Sequence, residues 1–189
     1  MSGAQEPVLV STKSQRIAEL ARAHPERSFT SLAHHMDVDC LRAAYRRTRR
    51  NGAVGVDGVT ATAYETNLEA NLADLLERLK SGRYQAPPVR RVHIPKGDGR
   101  TRPIGIPALE DKIAQRAVAM VLEPLYEQDF GECSYGFRPG RSPRQAVDGL
   151  RDSLMRRGGG WIIELDIRSF FDELDWTWLR TMLDERVRD

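Results

Sequence analysis

One stretch constrains this chain more than any other: Trp161–Ile167, reading WIIELDI after three consecutive glycines. Side chains alternate faces along a strand with period two. Trp161, Ile163, Leu165 and Ile167 therefore share an apolar face, and Ile162, Glu164 and Asp166 share the other. The pattern predicts a buried strand that needs sheet neighbours, with Asp166 near its end and opposite the core. An apolar strand left unpaired is an aggregation liability, so the chain is expected to be poorly stable alone. A carboxylate at such a place is costly unless paired or bound to metal. It suits a hard cation such as Mg²⁺, which takes one or two carboxylates together with substrate phosphate oxygens. The alternative is an aspartate that caps the following turn.

The 189 residues are 30% charged and 40% hydrophobic, an ordinary globular composition. No apolar run reaches the ~20 residues that span a membrane. The start, MSGAQEPVLVSTKSQ, lacks the basic and apolar regions of a secretory signal. Two cysteines, Cys40 and Cys133, make no disulfide framework, which points to a reducing, cytoplasmic compartment. The four histidines show no zinc spacing with the cysteines, and no G-x-S-x-G occurs.

The net charge of +2 hides a division. Residues 83–105 carry Arg83, Arg90, Arg91, Lys96, Arg100 and Arg102 against Asp98 alone, whereas carboxylates dominate 161–189. The basic stretch suits phosphate partners; solvated faces are the plain alternative.

Along the chain, residues 1–14 read as a loose lead-in. Asp39 is a candidate cap for a helix over 40–50 with a basic surface of Arg42, Arg46, Arg47, Arg49 and Arg50. The glycine-punctuated NGAVGVDGVT is neither a Walker A loop nor G-x-G-x-x-G. Thr62-x-x-Glu65 is a capping-box candidate opening one helix, with a stripe of Tyr64, Leu68, Leu72, Leu75, Leu76 and Leu79 and a stop at Gly82. VRRVHIP and TRPIGIP read as a hairpin around Gly97-Asp98-Gly99, with prolines suited to an edge. Residues 108–128 read as a largely apolar helix broken by Pro124. Residues 143–157 read as a helix begun by Pro143 and ended at Gly158. Asp175 is placed to cap a final helix bearing Trp176, Leu179, Leu183 and Val187. Helices and strands mix without regular βαβ units, so the fold class is α+β.

Two segments suit nucleotide chemistry. The hairpin projects Lys96, Arg100 and Arg102 from a glycine turn, as a triphosphate requires; a solvated tip is the alternative. SYGFRPGRS, residues 134–142, interleaves aromatics with arginines, which suits stacking and phosphate contact; anchoring by Tyr135 and Phe137 in a local core is the alternative.

The order GVDGVT, VRRVHIPKGDGRTRPIGIPALEDKIAQRAV, LEPLYEQDFGECSYGFRPGRSPRQAV, WIIELDIRSFFDELDWTWL resembles the bacterial group II intron reverse transcriptase/maturase family, from about Phe29 to the last residue. The resemblance implies a partial right-hand polymerase fold: a lead-in over 1–28, fingers over 29–160 and the first part of the palm over 161–189. It implies that Asp166 is a metal-binding catalytic aspartate and that the Ile167 carbonyl helps hold metal. It implies that Phe171 crowds the sugar 2′ position and that Lys96 and Arg102 contact the incoming triphosphate. Phe137 and Arg138, within the 135–142 loop, would shape the nucleotide pocket. Arg46, Arg49, Arg90, Arg91, Arg100 and Arg141 are the expected nucleic-acid contacts. The implied partners are RNA template or intron RNA, a DNA primer, dNTP and a C-terminal polymerase fragment, with no membrane.

One departure is large. The family's aromatic-x-Asp-Asp motif is absent, and no adjacent Asp-Asp occurs in the 189 residues. Two-metal phosphoryl transfer needs carboxylates from both motifs to hold ions ~3.5–4 Å apart. The chain alone is therefore expected to be inactive, with Mg²⁺ bound only in a completed enzyme. Thumb and maturase regions are also missing, and DELDWTWL stands where many relatives have Asn-His. A non-catalytic RNA-binding module and a decayed remnant are the other readings.

Overall fold

The computed structural model describes residues 8–95, 97 and 99–189, with residues 8–11 as backbone only. Helix α1 spans Val8–Ala23, so residues 8–14 are helical rather than a loose lead-in. The reason is tertiary. Ile17 and Ala21, one turn apart, are buried against the core, and that face holds a helix the local sequence signals only weakly.

Helix α2 spans Val38–Arg47, and its cap lies two residues before the expected one. Asp37, in extended backbone, accepts from the Cys40 N–H at 2.9 Å and pairs with Lys13 of α1. Asp39 instead lies in the first turn and pairs with Arg42. The helix ends when Thr48 turns extended, its hydroxyl donating back to the Ala44 carbonyl at 2.8 Å. Arg49 and Arg50 thus lie beyond the helix, not on it.

The single helix expected from Thr62 is two. α3 spans Ala61–Glu65 and α4 spans Leu68–Lys80. Thr60, not Thr62, caps α3, accepting from Ala63 N–H at 3.1 Å. Asn67 leaves helical geometry between the two, and Asn71 spans the break by donating to the Tyr64 carbonyl at 2.9 Å. The leucine stripe holds: Leu72 and Leu75 are fully buried, with Leu68, Leu76 and Leu79 packed around them.

Strands β1 (Arg90–Pro95) and β2 (Thr101–Ile106) form the expected antiparallel hairpin. Arg90 pairs with Ile106, and Ile94 with Arg102. Helix α5, Leu109–Tyr126, is the centre of the molecule and packs on α1 and α2, with α2 also against α4. It contributes Ile113, Ala117 and Leu125 to the core beside Leu41, Ala44 and Tyr45 of α2. Pro124 does not break it. The proline falls in the last turn, where the lost N–H costs one bond to Met120 and little helix follows.

Tyr84, following α4, donates to the buried Asp111 carboxylate at 3.1 Å, and Gln115 donates to the same group at 2.7 Å. Burial, then the Asp111 charge, pushes the Tyr84 hydroxyl well above its usual pKa. The polar group is thus satisfied inside the core, as burial requires. Cys40 is buried too, its thiol pushed up to about 11 by desolvation and held inert.

Helix α6, Pro143–Arg157, has the predicted bounds, and helix α7, Trp176–Arg186, has the predicted Asp175 cap, but Val187, expected on α7, lies just beyond it in extended backbone. Ser142 accepts from Gln145 N–H at 3.3 Å, and Asp175 accepts from Thr177 N–H at 2.7 Å. The Thr177 and Trp178 amides hold the Asp175 carboxyl below the usual range. Between them the expected strand is missing. Residues 161–167 form no strand, and Trp161 (99%), Ile163 (80%), Leu165 (89%) and Ile167 (68%) are all solvent-exposed. The alternation has no sheet to act on, because the described residues offer no strand that pairs with this one.

Among the described residues no helix is long and apolar enough to cross a membrane.

Candidate nucleic-acid interface and partial catalytic site

The glycine-punctuated loop ties the basic elements together. Gly55 lies so close to the start of α5 that an added Cβ would sit 2.5 Å from the Ala108 Cα. Only a residue without a side chain allows that approach. Lys112 of α5 donates to the Ala53 carbonyl at 2.8 Å, and Arg90 of β1 donates to the Val54 carbonyl at 2.9 Å. The loop therefore fastens the foot of the hairpin to the core. Arg90 is a structural donor here as well as a surface cation.

Hairpin register then sorts the other cations. Arg90 and Arg102 lie on one face with Val92 and Ile94, but roughly 13 Å apart along the strand. Arg91 lies on the opposite face with His93. Arg100 precedes β2 at the exposed tip. Lys96 lies outside the described residues.

The α2 region divides similarly. Arg42 is held by Glu69 in a bidentate pair at 2.8 and 2.6 Å and by Asp39. Those carboxylates raise its pKa, with Glu69 the larger influence. Arg50 pairs with Glu65 at 3.3 Å and lies over the Tyr45 ring. Arg46 and Arg49 are exposed and make no ion pair among the described residues. The charge run thus contains both internal staples and free cations, a distinction that residue type cannot supply.

The 127–142 loop is built around Arg138. Its guanidinium meets Glu127 at 2.7 Å, donates to the carbonyls of Gly131 and Ser134, both at 2.9 Å, and lies over Phe130. Its side chain is only 6% exposed. Arg138 is thus committed to loop structure. Arg141 pairs with Glu132 at 3.2 Å and stacks over Tyr135. Gly149 of α6 receives the Tyr135 hydroxyl, where an added Cβ would be 2.7 Å away. Phe137, by contrast, is fully exposed and has φ of 57°. A bulky residue in left-handed backbone is strained by roughly 1–3 kcal/mol. Of the two aromatics, therefore, Tyr135 is the one that packs, against α6; Phe137 is not core.

Asp166 and Ile167 lie in the exposed stretch, and Asp166 makes no hydrogen bond or ion pair among the described residues. Beyond it, Ser169 has φ of 55° and its carbonyl accepts from the N–H of Asp172 and Glu173, closing a turn. Phe171 is 85% exposed and meets Phe170 edge to face at 5.3 Å. Among the described residues no three His, Cys, Asp or Glu side chains gather as a metal site. Asp166 and the Ile167 carbonyl could supply two oxygen ligands to a Mg²⁺ ion, whose remaining positions would fall to other groups such as water and phosphate oxygens.

Sequence reasoning missed the clasp that seats α7. Arg186 grips Asp129 at 2.8 and 2.9 Å, donates to the Arg27 carbonyl and lies over Phe29. Phe29 N–H donates to the Arg186 carbonyl and Arg188 N–H to the Phe29 carbonyl, both at 2.8 Å, as a parallel bridge. Nothing in local spacing announces a contact between residues so far apart.

The reverse transcriptase (RNA-dependent DNA polymerase) pattern matches residues 94–186, from the hairpin through α7. Protein YkfC of Escherichia coli K12 is 45% identical over 138 residues, covering 71% of this chain and 36% of YkfC. The group II intron-encoded protein LtrA of Lactococcus lactis subsp. cremoris is 30% identical over 177 residues, covering 93% of this chain and 29% of LtrA. Nuclear intron maturase 1 of Arabidopsis thaliana is 30% identical over 83 residues, covering 44% of this chain and 11% of that protein. The domain is a reverse transcriptase domain. More narrowly, the chain belongs to the group II intron reverse transcriptase/maturase family. It spans about a third of the length of YkfC and LtrA.

Proposed function

We propose that these 189 residues are the fingers and the first part of the palm of an RNA-directed DNA polymerase, and that alone they do not polymerise. The observation that carries the reading is the state of 161–167: an apolar stretch holding Asp166, fully exposed, beside a well-formed helical body. In this reading a C-terminal polymerase portion, fused or in trans, pairs with the stretch and brings the missing carboxylates. Asp166 and the Ile167 carbonyl then contribute to a Mg²⁺-dependent nucleotidyl-transfer site. Lys96 and Arg102 face the dNTP triphosphate, and Phe137 and Arg138 border the nucleotide pocket. Arg46, Arg49, Arg90, Arg91, Arg100 and Arg141 line the path of the RNA template and DNA primer. For Arg138 that role is indirect, since its own bonds shape the loop.

The exposure of Phe171 supports a steric role, because in these residues it has no core to fill. The test supplies the C-terminal portion and measures dNTP and rNTP incorporation side by side. Asp166→Ala should lower the rate by several orders of magnitude with little change in primer–template binding. Phe171→Ala should keep dNTP use and shift selectivity toward rNTP by roughly 10–200-fold. Parallel loss of both activities with an unchanged ratio overturns the gate assignment. Template-dependent incorporation by the 189 residues alone, above an Asp166→Ala control, overturns the claim of inactivity.

A further inference from the structure

A cleft of about 350 Å³ lies between α1 and the 27–35 segment. That size is within the range of small-ligand sites. Leu20 and Phe29 form part of an apolar floor, and Arg16, Arg27, His34 and His35 stand around it. No carboxylate lines the cleft. This sets Arg16 and Arg27 apart from Arg42, Arg50, Arg78, Arg138 and Arg186, each matched to an acid. Arg16 and Arg27 are exposed and make no ion pair among the described residues. The His34 and His35 rings lie 3.9 Å apart between centroids, and the Nδ1 of His35 is buried with no hydrogen-bond partner. The cleft thus gathers two guanidinium groups without acid partners and a histidine pair around an apolar floor, a set that suits an oxygen anion. Guanidinium forks match phosphate geometry. The cleft is larger than a phosphate needs, and its apolar floor offers a surface for a base.

We propose that this cleft binds a nucleotide unit, its phosphate held by Arg16 and Arg27 beside the histidine pair and its base laid on the Leu20–Phe29 floor. The inference does not rest on the polymerase reading, and its test leaves that reading untouched.

The experiment follows the imidazole carbon–proton NMR signals of His34 and His35 in the full chain during titration with AMP, adenosine or inorganic phosphate. AMP should shift both histidines saturably and bind at least about ten-fold tighter than adenosine, the scale of one charge-assisted contact. Arg16→Gln and Arg27→Gln should each weaken AMP by about ten-fold with an unchanged thermal transition, since both side chains are exposed. The 5′-phosphorylated dinucleotide pApA separates the sources: tighter binding than AMP assigns the site to a strand, weaker binding to a free nucleotide, and either supports the site. Unmoved histidine signals at millimolar AMP overturn the proposal. So do equal affinities for AMP and adenosine, AMP no tighter than inorganic phosphate, or full affinity in both glutamine variants.

Discussion

Ile113 and Ile163 are the same side chain in opposite circumstances: one is wholly buried in α5, the other 80% exposed. Ile113 belongs to a body in which α1, α2, α4 and α5 each bury a stripe against the others. Ile163 belongs to a stretch whose apolar face is as clear in the sequence but has nothing to lie on. Apolar patterning specifies which face wants burial; it does not supply the partner. A helix satisfies its backbone bonds internally and needs only a neighbour for one face. A strand needs neighbours for its backbone as well. The two regions therefore respond differently to the same absence of surroundings.

The largest expected effect separates the two regions directly. Leu72→Ala should destabilise the body by about 2–5 kcal/mol, read as a drop in denaturation midpoint. Leu165→Ala, removing the same side chain from solvent, should change stability by less than about 0.5 kcal/mol. A comparable loss in both would mean that 161–167 is packed in solution.

The next test asks what seats α7. Arg186→Ala removes a guanidinium that is only 12% exposed and bonded to Asp129 and to the Arg27 carbonyl. It should cost about 1.5–3 kcal/mol and raise amide exchange throughout α7. Exchange confined to the last turn would show that α7 is held elsewhere.

The smallest effect is a pH dependence within the body. Burial opposes ionisation of Asp37, but the bonds from Lys13 and Cys40 outweigh it and hold its carboxyl below the usual range. Its stabilisation is present above the unfolded value and is lost as pH falls through the folded one, so below about pH 4. Burial, then the neighbouring His34, Lys13 and Arg16, lowers His35. Unfolded chains then bind this proton more readily, and stability declines as pH falls below about 6.5. Stability followed from pH 8 to 3 should fall in two steps, with His35→Gln removing the upper and Asp37→Asn diminishing the lower, which Asp175 shares.

Much of this was legible in the residues. The hairpin, α6, α7 with its Asp175 cap and the leucine stripe of α4 follow from turn chemistry, capping and periodicity, all local. The cap of α2 was misread because Asp37 and Asp39 are chemically alike, and only the contact with Lys13 separates them. α1 was missed because its helicity depends on tertiary burial of Ile17 and Ala21. In the candidate site, the cations were visible, but not which of them are spent internally. Arg138 reads as a phosphate ligand and is closed around Glu127; Arg46 reads the same way and makes no ion pair among the described residues. Asp166 was legible as chemistry, while the strand around it depends on sheet neighbours beyond local sequence.

The central claim is that 161–167 lacks only a pairing partner, one that a C-terminal polymerase portion supplies. Amide hydrogen exchange at residues 161–167 tests it most directly, measured on the chain alone and then with that portion added. The account predicts free exchange alone, beside strong protection in α2, α4 and α5, and protection of 161–167 once the portion is present. Protection of 161–167 in the chain alone, or free exchange that persists after addition, would contradict it.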